Sequence, residues 1–306
     1  MALGGLVLLV LAGDFLVRGA VALALRLGIP ALIVSLTIVA FGTSAPELLI
    51  AIEAALSDAD GIAFGNVVGS NIANVLLVIG LPAILATIHT RECHTQRNFW
   101  TMIVATLVFI GLCFMGPLGI LHGFVLLAFL AFMLFDAYRS ARASQKADLP
   151  EELEDAEPDM APIKIGAFIL LGLIGLPSGA NLLITGAQGI AEAFGVSDAV
   201  IGLTLVAIGT SLPELATTVT ATLRGKADVV LGNVIGSNLF NLLAIMGVAS
   251  FFGPLEVPVT FLSIDLWVML ATSLLLLPFV LHLTNVTRAW GFGLVALYGV
   301  YVYQLV

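Results

Sequence analysis

Charge is what this sequence has least of. Only 10% of its 306 residues are charged, against roughly a quarter in a soluble domain. Meanwhile 60% are hydrophobic and the mean hydropathy reaches +1.14. A water-soluble core of this size cannot hide so much apolar side chain, so Rossmann domains, TIM barrels and soluble nucleic-acid binders are excluded and a lipid bilayer is the expected surrounding. Basic residues are scarcer still, 11 against 20 acids, which argues a second time against nucleic acid. The net charge of −9 is local, because seven of the acids fall between Asp148 and Asp159. Two cysteines, Cys93 and Cys113, make neither a disulfide framework nor a zinc spacing. The four histidines, His89, His94, His122 and His282, fall near the ends of apolar stretches. None stands beside Ser44 or Ser211 as a protease base would, so an enzyme is not expected. No cofactor and no obligate protein partner are expected either. Met1–Leu11 has no basic leader and runs on past any cleavage point, which reads as a first span and not a removed signal.

What is abundant is apolar stretches of about 18 to 27 residues, the length of a helix crossing some 30 Å of hydrocarbon. Ten are expected, at 2–25, 31–56, 61–87, 98–115, 118–138, 164–191, 197–223, 228–252, 260–281 and 287–305. The basic residues sort by loop. Arg18, Arg26, Arg91, Arg97, Arg139, Arg142, Lys146, Lys164, Arg224, Lys226 and Arg288 all lie at odd-numbered loops, whereas the even loops hold Asp58, Asp60, Glu192, Asp198 and Glu256. By the positive-inside rule the odd loops face the cytoplasm and both termini face out of a cytoplasmic (inner) membrane. Residues 139–163 form an acidic cytoplasmic linker between 1–138 and 164–306, with no EF-hand spacing.

The two parts repeat each other. LTIVAFGTSAPEL at Leu36–Leu48 matches LTLVAIGTSLPEL at Leu203–Leu215, and GNVVGSNIAN at Gly65–Asn74 matches GNVIGSNLFN at Gly232–Asn241, with the same offset of 167 residues. About 21 of the 45 positions from Leu36 to Gly80 are identical to their partners. Five spans per repeat is an odd number, so the second enters from the opposite side. The fold class is therefore an all-α membrane protein of ten helices in two inverted five-helix repeats, the pattern of secondary transporters.

Glu47 and Glu214 fall halfway along apolar spans, where an ionisable group costs about 3 kcal/mol or more. Each follows a proline, Pro46 or Pro213, which removes the donor for a carbonyl four residues earlier and so frees oxygens near Gly42–Thr43 and Gly209–Thr210. Helical spacing sets Ala40, Thr43 or Ser44, and Glu47 on one face, and likewise Ala207, Thr210 or Ser211, and Glu214. Ser70 and Asn74 share a face, as do Ser237 and Asn241, and glycines at 65, 69, 232 and 236 allow close helix approach. Packing alone does not call for two midmembrane glutamates. All these groups are hard oxygen donors, suited to calcium. Two carboxylates are neutralised by one Ca²⁺ or by two Na⁺, so competition for the same charges gives exchange a physical cause.

The paired GTSAPE and GTSLPE segments, each followed by GNVxGSN, resemble the α-repeats of the cation/calcium exchanger superfamily, closest to its prokaryotic sodium/calcium antiporter branch. The resemblance implies a ten-helix fold with four central ion positions. Glu47 and Glu214 with the carbonyls of Thr43 and Thr210 would hold calcium. Ala40, Ser44 and Ser70 would serve one sodium position, Ala207, Ser211 and Ser237 the other, and Asn74 and Asn241 the middle. Some relatives have Asp where Asn241 stands, so potassium co-transport is not expected. A calcium/proton antiporter would need only the glutamates, and a passive cation channel is the alternative of another class. Three further acids are expected to do less: Glu53 at a polar mouth, Asp14 as an interior contact or gate opposite Asn181, and Asp265 near a membrane surface beside Trp267.

Overall fold

A computed structural model describes residues 2–27, 31–93, 95–144, 160–193 and 211–305. The first part of the seventh expected span, with Ala207 and Thr210, lies outside the described residues, as does most of the linker. Among the described residues the chain is helical without strands. We label the main helices α1 (Ala2–Leu27), α2 (Ala45–Leu56), α3 (Asp60–Ala73), α4 (Gln96–Phe114), α5 (Ile120–Ser144), α6 (Pro162–Ala193), α7 (Leu212–Leu223), α8 (Ala227–Phe240), α9 (Leu266–Leu274) and α10 (Arg288–Leu305). Among the described residues, seven helical stretches are long and apolar enough to cross a membrane, eight if one bent pair is a single span.

That bent pair falls within the second expected span, 31–56, and breaks where its proline stands. Ser35–Thr43 and Pro46–Leu56 meet at 52°. The break sits at Ser44 (φ −88°, ψ 9°), and Ser211 before α7 has the same conformation (φ −86°, ψ 3°). Proline at the second helical position explains why a new helix starts there, since its missing N–H is one that a helix start leaves unbonded anyway. Both short helices also end alike. Asp58 and Gly225, matched by the repeat, take positive φ (52° and 65°), and the following amides reach back, Ala59 to the Ala54 carbonyl at 2.8 Å and Lys226 to Ala221 at 2.9 Å. This is a helix stop with a left-handed residue.

Two layers follow from the packing. The core is formed by α2, α3, α7 and α8 with the flanking α4, α5, α9 and α10, and α8 runs against the segment Ala31–Thr43. The second layer is the pair α1 and α6, which lie along each other and touch α7. Glycines make that pair close: a Cβ on Gly172 would stand 2.5 Å from Leu16 Cβ and 3.0 Å from the Ala12 carbonyl, and one on Gly179 would stand 3.0 Å from Leu9 N. The two parts of the chain interlock at loop level, through isolated bridges Ile88 to Val286 and Leu118 to Leu255.

Candidate functional site

The second half of each long span 61–87 and 228–252 does not continue as a plain α-helix. A π-helical turn begins at Asn74 (Asn74–Val78) and another at its partner Asn241 (Asn241–Ile245). Such wide turns rotate the following residues and are common beside functional sites. They stand opposite the breaks at Ser44 and Ser211, so the irregular backbone of both parts gathers in the centre of the core.

There the sequence-derived residues meet. Thr43, Ser44, Glu47, Ser70, Asn74, Ser211, Glu214, Ser237 and Asn241 are all buried. Ser44 Oγ donates to Glu214 Oε1 at 3.1 Å across the two parts. Thr43 Oγ1 lies 3.5 Å from Oδ1 of Asn233, whose Nδ2 donates to the Glu214 carbonyl. No salt bridge compensates either glutamate among the described residues. Among the described residues, six buried oxygens of this centre have no hydrogen-bond partner: Glu47 Oε2, Glu214 Oε2, Asn74 Oδ1, Asn241 Oδ1, Ser211 Oγ and Ser237 Oγ. Buried oxygens without partners are rare and costly. No three His, Cys, Asp or Glu side chains cluster as a metal centre would among the described residues. The arrangement is thus two carboxylates within a shell of neutral oxygens.

Ala40 is buried on the same segment. Its carbonyl already accepts from Ser44 N at 3.1 Å and from Thr43 Oγ1 at 3.2 Å. Ala207 and Thr210 lie outside the described residues.

Four asparagines that sequence reasoning passed over belong to this centre. Asn66 Nδ2 donates to the Glu47 carbonyl at 2.9 Å, and its partner Asn233 to the Glu214 carbonyl at 3.4 Å. Asn71 and Asn238 bond across the two parts to Asn241 and Asn74. The available signal was their identity at matched positions of the two repeats. Away from the centre, Glu53 is exposed, while Asp265, close to the start of the stretch Phe261–Val280, is buried and accepts from Tyr301 Oη at 3.2 Å. Asp14 accepts from Arg224 Nε at 2.8 Å and pairs with Arg18 on its own helix at 3.0 Å.

Membrane-length helices around a buried polar centre define a multi-pass membrane protein. The chain belongs to the sodium/calcium exchanger family, since the family model described as Sodium/calcium exchanger protein matches residues 1–138 and 164–306. It is similar to the Putative antiporter CaxA of Alkalimonas amylolytica, 39% identical over 93% of this chain and 90% of that protein. The Sodium/calcium exchanger MaX1 of Methanosarcina acetivorans is 33% identical over 96% of this chain and 94% of its own length. A solved structure of the sodium-calcium exchanger NCX_Mj superposes with a TM-score of 0.83 at 32% identity, covering 100% of this chain and 97% of that one.

Proposed function

We propose that this chain is a secondary-active sodium/calcium antiporter that exposes one central site to each side of the membrane in turn, exporting calcium against sodium influx. The observation that carries the reading is the set of six buried, unpartnered oxygens, four of them at the repeat-matched pairs Glu47 and Glu214, Asn74 and Asn241, with two on uncompensated carboxylates. Two buried negative charges need two positive ones. One Ca²⁺ or two Na⁺ supply them, and the same oxygens cannot hold both loads. Glu47, Glu214 and the carbonyls of Thr43 and Thr210 are assigned to calcium. Ser44, Ser70 and Ala40, and Ser211, Ser237 and Ala207, are assigned to sodium, with Asn74 and Asn241 between them. Support for ten spans in two inverted repeats, 1–138 and 164–306 around a linker at 139–163, comes from the repeat and from the sorting of basic residues. That sorting also sets both termini outside the cytoplasm.

The test is calcium uptake into inside-out vesicles. Uptake is expected to require internal sodium and to survive a proton uncoupler. Abolition by the uncoupler alone would make the protein a calcium/proton antiporter, and indifference to an imposed sodium gradient would make it a channel.

Alternating access needs a moving part, and the α1–α6 pair is assigned that role. Its ion pair from Asp14 to Arg224 of the core has no counterpart on the other side, because the matched residues are Asn181 and Ser57. The pair therefore stabilises one orientation only. Asp14→Asn is expected to raise by about fivefold the labelling of a cysteine at Thr222, read from the Arg224 side in a background lacking Cys93 and Cys113. That is the equivalent of roughly 1 kcal/mol from a partly exposed pair. Unchanged labelling would remove the asymmetry.

A further inference from the structure

Asn71 and Asn238 stand one helical turn before the ion-facing Asn74 and Asn241, and each is 1% exposed. Their bonds run crosswise between the repeats. Asn241 Nδ2 donates to Asn71 Oδ1 at 2.9 Å, and Asn74 Nδ2 donates to Asn238 Oδ1 at 3.0 Å. The helper amides are themselves anchored, since Asn71 Nδ2 donates to the Asn238 carbonyl and Asn238 Nδ2 to the Asn71 carbonyl, both at 3.3 Å. An asparagine side chain has one accepting end and one donating end. Because each helper NH₂ is turned to a backbone carbonyl, with Asn71 Nδ2 also donating to Met269 Sδ at 3.7 Å, it is their oxygens that face Asn74 and Asn241, and the NH₂ ends of those two residues meet them. The remaining ends, Asn74 Oδ1 and Asn241 Oδ1, are the buried unpartnered oxygens.

We propose that Asn71 and Asn238 are positioning residues that fix which end of Asn241 and Asn74 faces the transported cation. Turning either ligand amide over would set oxygen against oxygen at the helper and NH₂ against the cation. Each repeat thereby orients a ligand of the other, and α3 and α8 are tied as one unit against which α1 and α6 move. The crosswise acceptor also constrains the ligand type: Asn71 Oδ1 requires a donor at 241, so a carboxylate there would face an oxygen at 2.9 Å unless it carried a proton. This assignment rests on the proposed cation site. It needs only calcium binding, whatever ion is exchanged for it.

Purified full-length protein in liposomes tests it through Asn71→Ala, Asn241→Ala and their combination, with equilibrium calcium binding and calcium uptake both measured. Removing a partner that orients a metal ligand typically weakens binding by 10- to 100-fold. Asn71→Ala is expected to raise the calcium Kd and KM by about tenfold with the maximal rate nearly unchanged, because the ligand is misaimed and not lost. In the Asn241→Ala background the same change should have no further effect, whereas in Asn74→Ala it should multiply. The mirror series, Asn238→Ala with Asn74→Ala, gives the same test should Asn71→Ala fold poorly. An unchanged affinity, or an Asn71→Ala effect that multiplies with Asn241→Ala, overturns the positioning role. A wild-type chain that binds no calcium overturns the proposed function first, which keeps the two failures apart.

Discussion

Glu47→Gln and Glu214→Gln are each expected to abolish sodium-driven calcium uptake and to weaken calcium binding by roughly a hundredfold, the equivalent of a lost charge-assisted contact of about 3 kcal/mol. Glutamine keeps the size and one carbonyl oxygen, so the Ser44 Oγ bond to position 214 survives, and the loss is one of charge. The two carboxylates are buried with no basic side chain to offset them among the described residues. Taking away either charge therefore removes a burden from the ion-free protein. Both variants are expected to melt at a higher temperature than wild type in ion-free buffer. Only wild type should gain stability on adding calcium, since a ligand stabilises in proportion to its binding. Melting curves with and without calcium, beside uptake, separate this from misfolding. Either variant transporting at the wild-type rate would remove its glutamate from the site.

How much of this was legible in the sequence depends on what kind of signal a residue leaves. Glu47 and Glu214 announced themselves because a carboxylate inside an apolar span is expensive, and Ser44, Ser70, Asn74 and their partners because helical spacing carries them to the same region. The structure brings these together. Asn66, Asn71, Asn233 and Asn238 were passed over although they stand in the same motifs. Spacing along an ideal helix does not reveal a partner that arrives from another helix, and their bonds run to backbone carbonyls or across repeats. The π-helical turns at Asn74 and Asn241 escaped for a related reason: a single widened turn shifts the hydrophobic period too little to be read in a fully buried stretch. Proline marked the breaks in advance, but not the 52° angle at which the two pieces meet.

Gly236→Ala is expected to cut calcium uptake at least tenfold and to lower the melting temperature, although alanine ordinarily favours a helix over glycine by about 1 kcal/mol. The reason is contact with atoms that cannot step aside. A Cβ at Gly236 would stand 2.6 Å from the Leu36 carbonyl oxygen, 2.6 Å from Ala40 Cβ and 3.0 Å from Leu36 Cα, nearly all of it backbone. Overpacking of this kind costs about 1–3 kcal/mol, which reverses the helix-propensity gain. The functional loss comes from position. Gly236 precedes Ser237 on α8, and the segment it touches carries Ala40, Thr43 and Ser44, so the methyl group pushes apart two walls of the site. The Ser44 bond to Glu214 at 3.1 Å ties the displaced segment to α7 and should lengthen as the segment shifts. Gly293→Ala on α10 is the matched control, since a Cβ there meets nothing within 4 Å. It should leave uptake unchanged and, if anything, raise stability. Equal behaviour of the two variants would show that close approach of α8 to the broken span does not set the geometry of the site.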